Sequence, residues 1–184
     1  MPDKVEIRIS GLGGQGVVLA GQILGKAAVY SGKNAVQTQS YGAEARGSAA
    51  KSEVMISDSK IGFPIVTKCD ILIAMSQEAV EKNIKALKEE GLLLIDSTTV
   101  KSVPKTNARV IKIPATETSK KMLGEKLYAN MIMLGALVKM TGIVNEEYME
   151  KVISNTFPEK YVNINIKAYK KGKELATNKN AFSS

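Results

Sequence analysis

The stretch Arg8–Leu24, RISGLGGQGVVLAGQIL, decides the fold. Around its start, Val5, Ile7 and Ile9 alternate with Glu6, Arg8 and Ser10, the period of two expected of a strand with one face not fully buried. Beyond it, QGVVLAGQILGKAAVYSG predicts a helix from about Gln15. Its inner face is Val17, Val18, Ala20, Gly21, Leu24, Ala27 and Ala28, and its stop is Gly32. Gly11, Gly13 and Gly16 fit G-x-G-x-x-G between that strand and that helix, the context a phosphate-binding turn requires. Glycine allows positive φ and close approach of a ligand, and a helix N-terminus offers unpaired N–H groups to an anion. Gly11, Gly13, Gly14, Gln15 and Gly16 are therefore candidate ligand contacts.

Working outward, NAVQTQS predicts a second strand, and EVMIS, ending in the turn signal SDSK, a third. DILIAMS and GLLLID are short continuous apolar runs, the pattern of parallel strands covered on both faces. Between them QEAVEKNIKALKEEG predicts a helix with Ala79, Val80, Ile84 and Leu87 at helical spacing and Gly91 at its end; ARVIKIP supplies another strand. This alternation argues for an α/β fold: an open, mostly parallel Rossmann-like sheet with helices on both faces. Residues 126 to 155 predict two helices broken near Thr141 and Gly142. The first, KLYANMIMLGALVKM, is apolar nearly all round, so it is either central in the core or a subunit contact. NINIKAYKKGKELATNKN predicts a last helix that frays into a polar tail from about residue 177. No linker or repeat divides the chain, and its length suits a single domain over residues 1–184.

The composition excludes more than it identifies. One cysteine, Cys69, and no histidine remove disulfides, the usual zinc sites, histidine-based triads and any iron–sulfur cluster held by this chain's own thiolates. No catalytic residue and no metal ligand set is assigned, and Cys69, just before a buried strand, reads as inert packing. The formal net charge is +8, yet the chain has only three arginines and three phenylalanines, too few for the forks and stacking platforms of nucleic-acid readers. Lys160, Lys167, Lys170, Lys171, Lys173 and Lys179 read as a solvated helix face and tail. The longest apolar stretch, MIMLGALV, falls short of the roughly 20 residues that span a bilayer, and Met1 runs into VEIRIS with no secretory pattern. The expected location is cytoplasmic, with no membrane partner.

A dinucleotide is a narrower claim than an anion. NAD or FAD wants an acidic residue at the end of the second strand, but VQTQS has none and the first acid, Glu44, lies beyond it. No Lys-Ser or Lys-Thr follows the last glycine, so the turn is not a Walker loop. A second cluster, Tyr41, Gly42, Glu44, Arg46 and Gly47, sits in TQSYGAEARGS after the second strand. Loops at the carboxyl ends of parallel strands converge on one crevice, so this loop and the glycine turn are expected to be neighbours. Glu44 and Arg46 either pair to fold the loop or contact a ligand or a partner chain. Asp96, at a strand end before Ser97, is a cap or a ligand group, and Asn130 in the apolar helix satisfies a backbone group or a partner helix.

GLGGQGVVLAGQILGKAA, TQSYGAEARGS, SEVMISD, DILIAMSQEAVEKNIKALKEEGLLLID and NMIMLGALVKMTGIV, in that order, resemble the γ subunit, or γ domain, of 2-oxoacid:ferredoxin oxidoreductases. The likeness runs from about Val5 to Ile153, and the TQSYG.EARG form most resembles γ subunits of 2-oxoglutarate enzymes. Ser48 departs from the family, which commonly has a second glycine after Arg-Gly. The resemblance implies one component of a multi-subunit enzyme that converts a 2-oxoacid, CoA and oxidised ferredoxin into an acyl-CoA, CO2 and reduced ferredoxin. It implies thiamine diphosphate, Mg2+ and [4Fe-4S] clusters in partner α and β subunits, with a ferredoxin-like δ subunit as a further candidate, and no cofactor held by this chain alone. Gly11, Gly13, Gly14, Gln15, Gly16, Tyr41, Glu44, Arg46 and Gly47 would then meet CoA phosphates or form a subunit interface. Three alternatives stay open: a pyruvate- or branched-chain-specific homologue, a free-standing nucleotide or acyl-CoA binding module, and an NAD-linked dehydrogenase, which the missing ribose acid and histidine weaken.

Overall fold

Lys4–Leu12 forms strand β1 and Val17–Tyr30 helix α1 in the computed structural model, which describes residues 3–42 and 48–177. Then come β2 (Asn34–Tyr41), β3 (Ala49–Ser57), β4 (Cys69–Ala74), α2 (Gln77–Asn83), β5 (Leu87–Asp96), β6 (Arg109–Ile113), α3 (Ala115–Leu123), α4 (Ala129–Thr141), α5 (Glu146–Thr156) and α6 (Glu159–Thr177). The strands form one sheet in the order β2-β3-β1-β4-β5-β6. β1, β4, β5 and β6 pair in parallel, while β3 runs antiparallel to both β1 and β2. β2 therefore points the same way as β1, and the carboxyl ends of β1, β2, β4, β5 and β6 all open at one end of the sheet.

Helices cover both faces, unequally. Ile7, Ile9, Val54, Ile56, Ile71, Ile73, Leu94 and Ile111 pack under α1, α4, α5 and α6. The opposite face, with Met55, Leu72, Ala74, Leu93 and Ile95, is covered by the short α2 through Ala79 and Val80 and by Val66, Val100 and Ala108 from loops. Helix α1 ends as expected at Gly32, where Gly32 and Lys33 N–H donate to Val29 and Ala28 C=O, the bonding of a Schellman cap. Its buried face is that expected, with Ile23 and Gly25 added, except that Val18 is only partly buried.

Several expectations need correction. The polar face of β1 is not left open: Glu6, Arg8 and Ser10 are all buried. Arg8 is satisfied there by Glu53 (Nε to Oε1 2.8 Å, Nη2 to Oε1 2.5 Å) and by the Val66 carbonyl at 3.0 Å, so a central strand hides an ion pair beneath a polar repeat. The helix expected over residues 77 to 91 stops at Asn83, and a 3-10 turn, Ile84–Ala86, leads into β5 four residues before the GLLLID run. Leu87 pairs with Cys69 across a bulge, and a Cβ on Gly91 would sit 2.9 Å from the Asp70 carbonyl oxygen, so sheet pairing overrides the helix propensity of KALKEE. β3 starts at Ala49, upstream of EVMIS, because its first residues pair with both neighbours. Helix α6 starts at Glu159, and α3, with its polar sequence ATETSKKML, was not anticipated. The tail beyond Thr177 lies outside the described residues.

The apolar helix α4 is core rather than subunit contact. Every residue from Ala129 to Val138 is buried, and the helix crosses α6 backbone against backbone. A Cβ on Gly135 would overlap the Tyr169 carbonyl oxygen, and one on Gly172 the Ile132 carbonyl oxygen. No helix among the described residues is long and apolar enough to cross a membrane.

Since the backbones must separate to admit even a methyl group, Gly172→Ala is expected to cost about 2–3 kcal/mol or more. Chemical denaturation checks it, with exposed Lys167→Ala expected within about 0.5 kcal/mol of the parent.

Candidate functional site

The glycine turn joins β1 to α1 at the end of the sheet where the parallel strands finish. Gly13 N–H donates to the Ser48 carbonyl at 2.8 Å, so the two predicted loops do meet; within the second, Gly42 N–H donates to the Ala49 carbonyl at 2.7 Å. Gly14 and Gly16 take φ of +87° and +70°, a backbone region that L side chains rarely adopt. Gly16 is the residue before the first turn of α1, which starts at Val17 rather than about Gln15. No side chain caps that helix and no acidic residue lies in its first turn.

Two of the candidates serve the turn itself. The Gln15 amide folds inward: its Oε1 accepts from Leu12 N–H at 2.6 Å, and its Nε2 donates to the Met75 carbonyl at 2.7 Å. The same carbonyl accepts from Thr99 Oγ1 at 3.0 Å, while Met75 N–H donates to the Ser10 carbonyl at 2.9 Å. The ends of β1, β4 and β5 are thereby tied at one residue. Gly11 makes this possible, because a Cβ there would overlap Gln15 Oε1.

The other described candidates face a cavity of about 620 Å³. Gly13, Gly14, Gly16 and Tyr41 line it together with Val18, Leu127, Tyr128, Phe157 and Tyr161. Tyr41, Leu127 and Tyr161 are 61%, 54% and 43% exposed, an apolar rim around a concave mouth. Glu125 is the only charged residue among those described around it. Glu44, Arg46 and Gly47 lie outside the described residues.

Two asparagines close the inner wall. Asn130, at the start of α4, donates from Nδ2 to the Gly16 carbonyl at 3.2 Å and accepts from Met131 N–H at 2.9 Å. Of its expected roles, it thus takes the backbone-satisfying one, and its partner is the glycine turn itself. A Cβ on Gly16 would overlap its amide, so this third glycine is required for space as well as for φ. Asn165 on α6 donates to the Tyr161 carbonyl at 2.9 Å. Asn165, Leu127, Phe157 and Tyr161 escaped sequence reasoning, because a helix pattern separates inside from outside without saying which end of the sheet a helix covers.

Asp96 is a cap. Fully buried, it accepts from Thr98 N–H at 3.1 Å and from Thr116 N–H at 3.1 Å and Oγ1 at 2.5 Å, which anchors the start of α3. Cys69 is buried, and desolvation pushes its thiol up to about 11 despite the opposing field of Arg8. Among the described residues no three His, Cys, Asp or Glu side chains cluster as a metal site would need.

A model of the pyruvate ferredoxin/flavodoxin oxidoreductase family matches residues 6–175. The 2-oxoglutarate synthase subunit KorC of Methanocaldococcus jannaschii is 48% identical over 176 residues, 94% of each chain. Among solved structures, the γ subunit of a keto/oxoacid ferredoxin oxidoreductase from Geobacter sulfurreducens is 46% identical and superposes with a TM-score of 0.84, over 94% of this chain and 98% of that one. The 2-oxoglutarate:ferredoxin oxidoreductase of Magnetococcus marinus, with 2-oxoglutarate, coenzyme A and succinyl-CoA bound, is 26% identical with a TM-score of 0.87; the match covers 96% of this chain but 31% of that longer one.

Replacing Gln15 by Ala leaves the Leu12 N–H without its acceptor at the heart of the turn, a loss of about 1–3 kcal/mol in unfolding free energy measured in urea. Gln15→Glu is expected to cost more, since a carboxylate would face the Met75 carbonyl. A thiol-specific reagent at pH 8 is expected to leave Cys69 unmodified in the native chain and to label it fully once the chain is unfolded.

Proposed function

The chain belongs to the pyruvate ferredoxin/flavodoxin oxidoreductase family as a γ subunit of a 2-oxoacid:ferredoxin oxidoreductase, and from that premise we propose that its complex acts on 2-oxoglutarate. The reaction converts 2-oxoglutarate, CoA and oxidised ferredoxin into succinyl-CoA, CO2 and reduced ferredoxin, in the cytoplasm. Support comes from the 2-oxoglutarate synthase relative and from the Magnetococcus structure that holds 2-oxoglutarate and CoA.

The redox groups belong to partner α and β subunits, with a δ subunit as a further carrier of clusters. This chain's residues do not fit them: the sequence has one cysteine and no histidine, and that thiol is buried and protonated. Thiamine diphosphate with Mg2+ supplies the decarboxylation when bound elsewhere in the complex, and [4Fe-4S] clusters carry the electrons. The γ chain is scaffold and wall.

Its proposed contribution is to bind and shield. Gly13, Gly14 and Gly16 let a CoA phosphate approach the backbone at the uncapped N-terminus of α1, where the dipole favours an anion. Arg46 is the proposed cation that the described lining lacks, with Glu44 and Gly47 of the same sequence motif proposed beside it. Tyr41 stands at the mouth, and the apolar wall excludes water from the acyl-transfer crevice. Gly11 and Gln15 act behind the ligand by holding the turn. The observation that carries this reading is a cavity built on the two positive-φ glycines. A second reading, that the mouth only seats an apolar side chain of a sister subunit, is favoured by the exposed Tyr41, Leu127 and Tyr161.

Isothermal titration of the assembled complex with CoA separates the two. Gly14→Val, strained by about 1–3 kcal/mol at that φ, and Arg46→Ala are each expected to weaken CoA at least about tenfold. Unchanged affinity in an intact complex rejects the CoA contact, and loss of assembly with both variants favours the interface.

A further inference from the structure

The sheet has two edges, and only one is guarded. β6, at one end, is five residues long and carries Arg109 and Lys112. β2, at the other, is eight residues long, and Asn34–Gly42 contains neither a charge nor a proline. Among the described residues its only strand neighbour is β3. Thr38, Gln39, Ser40 and Tyr41 are all exposed. A long uncharged edge offers a row of backbone N–H and C=O groups to another strand, and proteins that keep such an edge single usually break it with charge, proline or a bulge.

Beside the first half of β2, a second cavity of about 620 Å³ lies between α1, α5 and the strand, lined by Val29, Tyr30, Ala35, Gln37 and Val152. Val29 and Tyr30 are half exposed there, and Tyr41 stands at the far end of the strand. Strand addition works in this way: the backbone ladder supplies affinity, and alternate side chains read a neighbouring pocket.

From this geometry we infer that β2 is completed in the complex by an extended segment of a larger sister subunit, which adds a seventh strand and places an apolar side chain in the α1–α5 cavity. The inference rests on the reading of the chain as a subunit. A second copy of this chain is a poorer occupant. Two copies would bring a net charge of +8 against +8, and one shared ladder is small beside the ~1,200–2,000 Å² of a specific interface. A segment of a sister subunit is held by its other contacts and needs less from the ladder. In the Magnetococcus relative the matching unit makes up 31% of a longer chain, so there it is tethered to further polypeptide.

Hydrogen exchange of the isolated chain and of the complex co-expressed with its α and β subunits tests the inference. Alternate amides between Ala35 and Tyr41 are expected to exchange at least ten times more slowly in the complex. The double variant Thr38→Lys, Ser40→Lys is expected to keep the parent's circular dichroism and melting temperature while binding the sister subunits at least tenfold more weakly; Thr38→Val is expected to bind as the parent does. A complex that forms with unchanged exchange across β2, or a double variant that binds normally, overturns the inference. So does an isolated chain that dimerises with the same β2 amides protected. Failure of the parent chain to assemble at all overturns instead the subunit reading beneath it.

Discussion

Helices α4 and α6 touch backbone to backbone, and most of the functional end of the molecule depends on that contact. With hydrogen at Gly135 and Gly172, the carbonyls of Ile132 and Tyr169 approach where any side chain would overlap them. The close crossing holds α6 against a helix that is already buried all round. It sets Tyr161 and Asn165, in the first half of α6, opposite the start of α1, while Asn130 at the head of α4 reaches the Gly16 carbonyl. The cavity is therefore a property of three helix ends and one turn, with no element sufficient alone. Burial also raises the pKa of the Tyr169 phenol on this seam, with Glu146 and Glu150 adding to the effect, so that phenol stays protonated across the physiological range.

The turn from β1 to α1 separates two uses of glycine that look alike in a sequence. Gly14 and Gly16 meet a conformational requirement, whereas Gly11 meets a spatial one, because the Gln15 amide occupies the place of its side chain. Gln15 spends both ends of its amide inside the protein and passes the position of the turn to Met75, and through it to Thr99. A residue that pattern reading places among ligand contacts is thus part of the brace that holds the backbone at the cavity wall. Such bracing matters for any ligand met by main-chain groups, since misplacement of those groups cannot be repaired by a side-chain rotamer.

The chemistry absent from the chain and the surface present on it lead to one picture. A protein with no histidine and a single cysteine, buried and with its thiol pushed up by desolvation, offers neither an imidazole nor a ready thiolate. What it presents is concave and hydrogen-bonding: an apolar mouth at the glycine turn and an uncharged strand edge beside a second cavity. Both are open at the surface of the described residues.

The strand, turn and first helix and the α/β class were legible because each rests on periodicity within one segment, whereas the all-round apolar α4 could be read as core or as subunit contact. Val5, Ile7 and Ile9 needed no partner to be read as one face. What required long-range pairing was not legible. The KALKEE segment has helix propensity, yet Leu87 faces Cys69 and Gly91 sits against the Asp70 carbonyl, so it joins the sheet. Arg8 looked solvent-facing until Glu53 arrived from β3, and the reversed direction of β3 left no mark in its own residues. By itself the sequence determined which segments could bury a face and which chemistry was impossible, because both depend on side chains already in hand. Only the tertiary structure decided which helix ends wall the glycine turn and which strand is left with an open edge, because those outcomes belong to contacts between residues that are distant in the chain.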